Sequence, residues 1–353
     1  METESKTRAT KRRRRSRTDR PTVEHVARAA GVSPMTVSRV VNRDPNVRDR
    51  TREKVRDAIE QLGYAPNEAA RSLAGGKLVR IALLHSNPSA AYLSEFLVGS
   101  LAQAAVENVQ LVVEFFGDAE TAESLVERLV ARRIDGVLLP SPLSDDEPLM
   151  QAIHDAGLAL AQVATGKPAG FAHAVTIDDE LAAYRMTRRL TGQGHVKIGF
   201  ITGAANQTAS ARRLEGYRRA LREAGIEPRD DFVVNGNFTY RSGWDCAERL
   251  LGLPDRPTAI FASNDDMAAA VIAVAHRLGI DVPSQLSVCG FDDTSPSTTI
   301  WPEITTIRQP IADMAKRAVA RLAASSHDPD PHHDRLEFEM VVRGSDGRVA
   351  GET

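Results

Sequence analysis

The chain of 353 residues has little of what marks a secreted or membrane-spanning protein. Its two cysteines, Cys246 and Cys289, are too few for a disulfide framework and stand in no metal-ligand spacing. No apolar run approaches the length of a membrane span, and no apolar segment follows the basic N-terminus as it would in a secretory signal. These absences predict a protein of a reducing cytoplasm.

Motifs of common enzyme classes are also missing. The sequence contains no GxxxxGK[ST] phosphate loop, no GxSxG nucleophile elbow and no HExxH zinc motif. The nine histidines show no metal-ligand spacing, and the pair His332 and His333 lies in a Pro/Asp-rich stretch. We therefore expect no catalytic residue, no metal site and no cofactor, and we interpret the chain as a binding protein rather than an enzyme.

The charge is small overall but unevenly distributed. The formal net charge is −2, yet residues 1–76 hold 18 basic and 10 acidic side chains, while the remainder holds 27 basic and 37 acidic ones. A basic head on an acidic body predicts a head that binds a polyanion and a body that stays off it. The alternative for KRRRRSR at 11–17 is a solvated tail of no consequence, because runs of charge are often non-specific.

Residues 22–63 show helical periodicity with two short breaks. Thr22 can cap a first helix, Gly31 allows a tight corner, and Ser33 can cap a second helix that starts at Pro34. A third helix is expected over residues 51–62. The apolar positions at helical spacing are Val23, Val26, Ala27 and Ala30, then Val37, Val40 and Val41, then Val55, Ile59 and Leu62. This spacing predicts a helix-turn-helix.

From Leu78 onward, short runs of Val, Ile and Leu alternate with helical stretches. Strands are expected at 80–85, 110–116, 135–140 and 158–163, and again at 196–202, 231–236, 258–263 and 286–291. Continuous apolar runs of this kind indicate parallel strands buried on both faces, and two sets of them indicate two doubly wound lobes. The segments 305–309 and 336–343 are expected to return and complete the sheets. A ligand would lie between the lobes, outside the carboxyl ends of the strands.

These patterns carry a family resemblance over about residues 21–345. The head reads TVEHVARAAGVSPMTVSRVVN and TREKVRDAIEQLGYAPNEAARSLAGG, and the body adds RRLEGY, TAIFASNDDMA, GFDD, TTIRQP and RGS. The chain resembles the LacI/GalR family of bacterial transcription regulators. The resemblance implies an all-α helix-turn-helix head (21–65), a hinge (66–77) and a periplasmic-binding-protein-like α/β body of two doubly wound lobes (78–345), with tails at 1–20 and 346–353.

The resemblance implies that the second helix of the head lies in the major groove of double-stranded DNA. Arg39 can pair bidentately with a guanine, whereas Pro34 and Met35 offer only apolar contact. The residues of the head expected to contact DNA are Thr22, Ser33, Pro34, Met35, Thr36, Ser38, Arg39 and Asn42. For Met35 and Arg39 the competing interpretation is a plain helix-surface residue.

The hinge of the family orders on cognate DNA and enters the minor groove beside the hinge of the second subunit. The matching residues here are Asn67, Ala70, Arg71 and Leu73. Leu73 is expected to wedge between the central base steps and bend the duplex. The alternative is a flexible linker, which is the behaviour we expect without DNA.

The effector contacts of the family also have matches in the body. They are Tyr92, Arg213, Phe238, Asn264, Asp292 and Gln309. Alternatives stay open for several of them: Tyr92 and Phe238 can be ordinary core, and Asp292 can cap the helix after GFDD. Arg212, next to Arg213, can be the side chain that faces the cleft.

The resemblance implies a cytoplasmic, nucleoid-associated homodimer that represses carbohydrate-catabolism genes from a pseudo-palindromic operator. We expect a sugar, a glycoside or a sugar phosphate as effector. A purine is less expected because Gln207 and Ala209 stand where purine repressors have Arg and Thr. The last ten residues carry no leucine heptads, so no coiled-coil tetramer is expected. A periplasmic sugar receptor and an enzyme are the competing classes, and the sign of the effector response stays open.

Overall fold

The computed structural model describes residues 21–41, 47–64, 78–117, 120–325, 328 and 330–349. It divides into two compact units, Met1–Leu78 and Val79–Thr353. Five residues with expected DNA contacts lie outside the described residues, and so does the basic tail at 1–20. They are Asn42, Asn67, Ala70, Arg71 and Leu73.

The first unit contains the three helices that the sequence predicts. They are α1 (Val23–Ala30), α2 (Pro34–Val41) and α3 (Asp49–Leu62). Gly31 ends α1 in the left-handed region at φ 64, where a side chain would be strained. Ser33 then accepts the Thr36 N–H at 3.1 Å and so caps α2. Val26, Val37 and Val55, one from each helix, are fully buried and form the centre of the core.

The second unit begins with a six-stranded sheet that defines the first lobe. All of its strands are parallel, in the order β11-β5-β4-β3-β1-β2. The strands are β1 (Arg80–His85), β2 (Gln110–Phe115), β3 (Gly136–Pro140), β4 (Ala159–Val163), β5 (His173–Thr176) and β11 (His333–Arg335). Ile81 to Leu84 of β1 are fully buried, as the continuous apolar run predicts for a central strand.

The second lobe is a four-stranded parallel sheet in the order β7-β6-β8-β9. Its strands are β6 (Ile198–Thr202), β7 (Val233–Asn235), β8 (Ala259–Ala262) and β9 (Ser287–Cys289). The helices of the body, numbered on from the head, are α4 (Ala90–Glu107), α5 (Ala122–Ala131), α6 (Glu147–Asp155), α7 (Asp179–Gly192), α8 (Thr208–Glu223), α9 (Tyr240–Leu251), α10 (Asp265–Arg277), α11 (Pro296–Thr299) and α12 (Ile311–Ala324). The doubly wound prediction is therefore confirmed for both lobes.

The late segments differ from the expectation that they would complete the two sheets. β10 (Thr306–Arg308) and β12 (Glu339–Val341) pair antiparallel with each other as a separate two-stranded sheet. The expectation was wrong because these strands have three residues each and are exposed at Arg308 and Glu339, so they lack the continuous burial of a strand inside a parallel sheet. Isolated bridges from residues 289 and 292 to residues 305 and 308 attach this ribbon to the end of β9.

Residues 346–349, which the sequence assigns to a terminal tail, pack against the second lobe. The buried carboxylate of Asp346 accepts hydrogen bonds from Arg189 Nε at 2.7 Å and Gln193 Nε2 at 2.6 Å. His195 bonds the carbonyl of Gly347 at 3.0 Å. The described end of the chain is thus part of the folded body.

Candidate functional site

One cavity collects all six residues that the sequence proposes for the effector. Tyr92, Arg213, Phe238, Asn264, Asp292 and Gln309 line it together with Asn87, Ser89, Ser141, Ala164, Gln207 and Ala209, around a volume of ≈ 30 Å³. The lining comes from both lobes, because most of these residues follow strands of the two parallel sheets. The cavity lies where a doubly wound fold places its ligand, outside the carboxyl ends of the strands.

The guanidinium that faces the cavity belongs to Arg213. Its Nε donates to Asp179 Oδ1 at 2.8 Å and its Nη1 donates to the Ser263 carbonyl at 2.6 Å. The same group lies 3.5 Å from the centre of the Phe291 ring, which adds a cation–π contact. Arg212 instead is half-exposed and pairs with Glu215, so the choice between the two arginines is settled by geometry.

Asp292 is buried in the cavity wall and accepts a hydrogen bond from Gln309 Nε2 at 2.9 Å. Burial, with further contributions from the carboxylates of Asp266 and Asp179, raises the pKa of Asp292 to about 7, although Arg213 acts in the opposite direction. Asp292 does not cap the next helix. Ser295 holds the N-cap position of that helix. Asp292 is therefore available to a ligand and poised to change its charge near neutral pH.

The two aromatic residues are both core and lining. Phe238 is 8% exposed and packs in the core of the second lobe. A Cβ on Gly203 would lie 1.9 Å from the Phe238 ring, so only glycine leaves room for the ring there. Tyr92 is buried, stacks on Phe96 and has no hydrogen-bond partner for its hydroxyl among the described residues. Both side chains therefore belong to the core and also line the cavity, and their contact with an effector stays a prediction.

Asn264 lines the cavity and bonds within the fold through both ends of its amide. Its Oδ1 accepts the Met267 N–H at 3.0 Å and so caps α10, while its Nδ2 donates to the Phe238 carbonyl at 2.9 Å. That bond ties the Phe238 backbone, which has a strained φ of 66°, to the start of the helix. Ala164 and Asp292, also in the lining, have positive φ as well, so strained backbone concentrates at this cavity.

Hydrogen bonds join the two lobes on either side of the cavity. Ser89 donates to Asp266 Oδ2 at 2.6 Å, and Ser141 donates to Gln207 Oε1. Asp145 of the first lobe accepts the Thr208 N–H at 2.9 Å and the Thr208 hydroxyl at 2.7 Å. The lobes are therefore closed on each other in this structure.

Four of the carboxylates around the site were missed by sequence reasoning. Asp145, Asp179, Asp265 and Asp266 come from three elements and meet only in the fold. Burial raises the pKa of Asp265 well above its ordinary value, and its carboxylate accepts the Thr294 N–H and the Thr306 hydroxyl at 2.8 and 2.6 Å. The only sequence signal was the Asp-Asp pair that directly follows Asn264 in SNDDMA.

In the head, the candidate DNA surface is the start of α2. Pro34, Met35 and Arg39 are exposed, and Met35 is 67% exposed although it is apolar. Thr36 and Ser38 are partly exposed. An exposed apolar side chain beside an arginine at the start of a recognition helix suits base-edge contact in a major groove. Thr22 and Ser33, at the two helix starts, are also exposed.

Two features are absent from the described ranges. These ranges contain no group of three or more His, Cys, Asp or Glu side chains placed to hold a metal ion. None of the helices there combines the length and apolar character that a membrane crossing requires.

Comparison with known proteins identifies both units. Residues 22–67 match the family model of bacterial regulatory proteins of the lacI family, and residues 187–345 match a periplasmic binding protein-like domain. Catabolite control protein A of Priestia megaterium is 34% identical over 332 residues, which cover 91% of this chain and 99% of that protein.

Two solved structures are similar along nearly the whole chain. A complex of the transcriptional regulator CelR with cellobiose is 32% identical with a TM-score of 0.71, and covers 92% of this chain and 100% of its own. A lac repressor dimer bound to operator and the anti-inducer ONPF is 27% identical with a TM-score of 0.76, and covers 94% and 99%. The chain belongs to the LacI family of bacterial regulatory proteins and is a DNA-binding transcriptional regulator.

Proposed function

We propose that this chain is a homodimeric repressor of carbohydrate-catabolism genes, and that a small sugar or glycoside between the lobes controls its binding to operator DNA. The observation that carries this proposal is the composition of the cavity. Its wall sets the aromatic faces of Tyr92 and Phe238 beside the polar atoms of Asp292 and Gln309. A sugar requires this combination, because its ring has apolar faces and its hydroxyls donate and accept hydrogen bonds.

Two buried polar atoms support a ligand that carries hydroxyl groups. The Tyr92 hydroxyl and Gln309 Oε1 are buried in the wall and have no hydrogen-bond partner among the described residues. Leaving such a group without a partner costs about 1–3 kcal/mol. A ligand hydroxyl that donates to Gln309 and accepts from Tyr92 removes both penalties, which favours a ligand that carries hydroxyl groups.

The closed cavity also couples ligand binding to movement of the lobes. Its volume of ≈ 30 Å³ has room for water but not for a sugar ring, since small-molecule sites occupy about 300–1,000 Å³. Entry therefore requires the lobes to part, which breaks the bonds from Ser89 to Asp266 and from Asp145 to Thr208. A ligand shifts the balance of open and closed forms by its difference in affinity for them. We propose that this shift releases DNA.

The similar structures support the partners in this proposal. One of them is a dimer on operator DNA and the other holds cellobiose. We propose both properties for this chain. Arg39 and its neighbours on α2 lie in the major groove in this proposal. Residues 66–77, with Asn67, Ala70, Arg71 and Leu73, form the hinge in the minor groove. As a protein bound to chromosomal DNA, this chain works in the bacterial cytoplasm at the nucleoid. Its cleft binds the ligand without converting it.

The experiment is a selection of DNA fragments from a random pool by the purified chain, with and without a panel of sugars. We expect a pseudo-palindromic site, and at least one neutral sugar that both binds in isothermal titration and weakens binding to the selected DNA. Hypoxanthine and guanine belong in the panel. Selection of no sequence, or binding of nucleobases alone, would overturn the proposal.

A second arm of the experiment tests the hinge. Leu73→Ala should weaken binding to the selected site and reduce the bend of the duplex, because the wedge between the base steps is lost. Leu62→Ala, at the end of α3, is the matched control at a leucine without a proposed DNA contact. An unchanged affinity and bend angle in the Leu73 variant would contradict the role of the hinge.

A further inference from the structure

The charge around the effector cavity is strongly unbalanced. Among its described lining residues, Arg213 is the only cation. Two of the Arg213 nitrogens are already bonded to Asp179 and to the Ser263 carbonyl. Asp292 stands in the lining, and Asp266 accepts a hydrogen bond from Ser89 of the lining. The guanidinium is bonded to Asp179 and also acts on Asp292, so one cation stands against the three carboxylates of Asp179, Asp292 and Asp266 in and around the wall.

The helix N-termini at the cleft are occupied as well. Helix N-termini bind anions, and a doubly wound fold directs several of them at its ligand. Here the start of α8 is bonded by both oxygens of Asp145, which reaches across from the other lobe. The start of α10 carries Asp265 and Asp266 in its first turn, and the start of α4 is capped by Ser89. The protein's own groups therefore fill the positions where a phosphate would bind.

The mouth of the cavity continues the same pattern. A neighbouring groove of ≈ 520 Å³ includes Pro142 and Asn206, which are adjacent in sequence to the cavity residues Ser141 and Gln207. Its acidic residues are Asp145, Asp146 and Glu120, of which Glu120 is paired with Arg128. Asp145 and Asp146 accept their hydrogen bonds from neutral donors, so they keep their negative field at the entrance. A cleft lined by charge of one sign concentrates that field on an approaching ligand.

We propose that the cleft accepts neutral polyhydroxy ligands and rejects their phosphorylated and carboxylated counterparts, because the helix starts at the cleft already carry carboxylates or a serine cap and Arg213 is the only cation among the described lining residues. This inference rests on the proposed function and narrows it, since it removes sugar phosphates from the effector classes expected from the sequence. A buried anion without a cation is costly in a closed site. A neutral hydroxyl donates to Asp292 and to Gln309 Oε1 at no such penalty.

The test compares matched pairs by isothermal titration of the full chain. The pairs are glucose with glucose 6-phosphate, galactose with galacturonate, and cellobiose with cellobionate. For each neutral sugar that binds, we expect the anionic partner to bind at least about 100-fold more weakly, as for an anion buried without its counter-charge. An anionic member that binds as tightly as its neutral partner, or more tightly, would overturn the inference.

A second experiment with inorganic phosphate tests the inference that the cleft rejects anions, even if no sugar of the panel binds. The measurement is the difference between the thermal midpoints in phosphate and in chloride at equal ionic strength. For the double variant Asp266→Asn with Asp292→Asn, the midpoint should be about 2 °C or more higher in phosphate, whereas the native chain should show no such gain. Asp155→Asn with Asp230→Asn removes two exposed carboxylates and is the matched control. If the double variant fails to fold, Asp292→Asn alone takes its place.

The outcomes separate the two proposals. If no sugar binds but the cleft variant gains phosphate stabilisation, the sugar class fails and the charge inference stands. If the native chain is stabilised by phosphate as much as the variant, or if the variant gains no more than the surface control, the charge inference fails. In that case a sugar that binds and weakens DNA binding would still support the proposed function.

Discussion

The head and the body present their functional arginines in opposite ways. Arg39 is exposed on the second helix of the head, whereas Arg213 is 4% exposed and hydrogen-bonded inside the body. The exposed arginine lies on a small three-helix unit whose central core is one valine from each helix. The buried arginine lies between two lobes whose central strands are almost wholly buried.

This difference follows from the two kinds of ligand. A surface that meets DNA must stay in water until the duplex arrives, and its arginines can change without disturbing the fold. A cleft that closes on a small ligand is dry, so each of its charges must already have partners in the folded protein. Recognition and stability are therefore separable in the head and inseparable in the body.

The largest expected effect is on the buried arginine. Arg213→Met leaves Asp179 buried without its cation, and the loss of one partner from a buried pair costs about 3–5 kcal/mol of the free energy of unfolding. The measurement is denaturant unfolding of the body, followed by the fluorescence of Trp244 and Trp301.

The neighbouring residue is the control for this prediction. Arg212 is half-exposed and pairs with Glu215, so Arg212→Ala should cost less than about 1 kcal/mol. Double substitution of Arg213→Met with Asp179→Leu should recover part of the lost stability, because no buried charge remains unpaired. Equal losses in the two single variants would show that burial does not distinguish these arginines.

A smaller effect, on DNA and not on stability, is expected in the head. Arg39→Ala removes a possible bidentate contact to guanine, which is worth about 1–3 kcal/mol, and should lower affinity for the selected site about 10- to 100-fold. Its thermal midpoint should stay unchanged. Arg56→Ala, at another exposed arginine of the head, should weaken binding to all DNA alike. The ratio of specific to non-specific affinity, measured by fluorescence anisotropy, distinguishes the two.

The contrast between the head and the body also explains which helices and strands the sequence could predict. The head depends on neighbours three or four residues apart, so periodicity, Gly31 and the Ser33–Pro34 pair suffice to place all three helices. The central strands of the body are continuous apolar runs and were equally visible. β5 (His173–Thr176) was missed because it has only four residues. β11 (His333–Arg335) was missed because a polar strand at a sheet edge is held by backbone hydrogen bonds, which leave no apolar signal.

Only those residues of the site that belong to the family motifs were predicted from the sequence. These motifs identified six lining residues, and all six lie in one cavity. Sequence could not show that Asn264 uses its polar atoms within the fold, nor that Asp145 reaches the start of a helix in the other lobe. The bond from Asn264 to the Phe238 carbonyl joins residues 26 positions apart and the bond to Asp145 joins residues 63 positions apart, whereas only the Asn264 cap on Met267 is local.

The smallest expected change in ligand affinity is a pH dependence that belongs to the body, and a change in stability of the opposite sign accompanies it. The pKa of Asp292 is raised from 3.8 to about 7, so between these values the folded chain keeps a proton that the unfolded chain releases. The contribution of Asp292 to the free energy of unfolding should therefore fall as pH rises from about 4 to 7 and level off above 7. The raised pKa values of Asp179 and Asp265 act in the same direction.

Affinity for a neutral sugar should change the other way. A hydroxyl that donates to Asp292 binds the ionised carboxylate more strongly than the neutral acid, so at pH 6 most of the free protein must lose a proton to make the stronger bond, whereas at pH 8 it need not. Affinity should rise about tenfold from pH 6 to 8, which corresponds to about 1.4 kcal/mol. Titration in two buffers of different ionisation enthalpy would detect the released proton. Asp292→Asn should abolish the slope, and a slope that persists in this variant would show that another group titrates. DNA binding by Arg39 should keep its specificity ratio over the same range, because the guanidinium stays charged throughout.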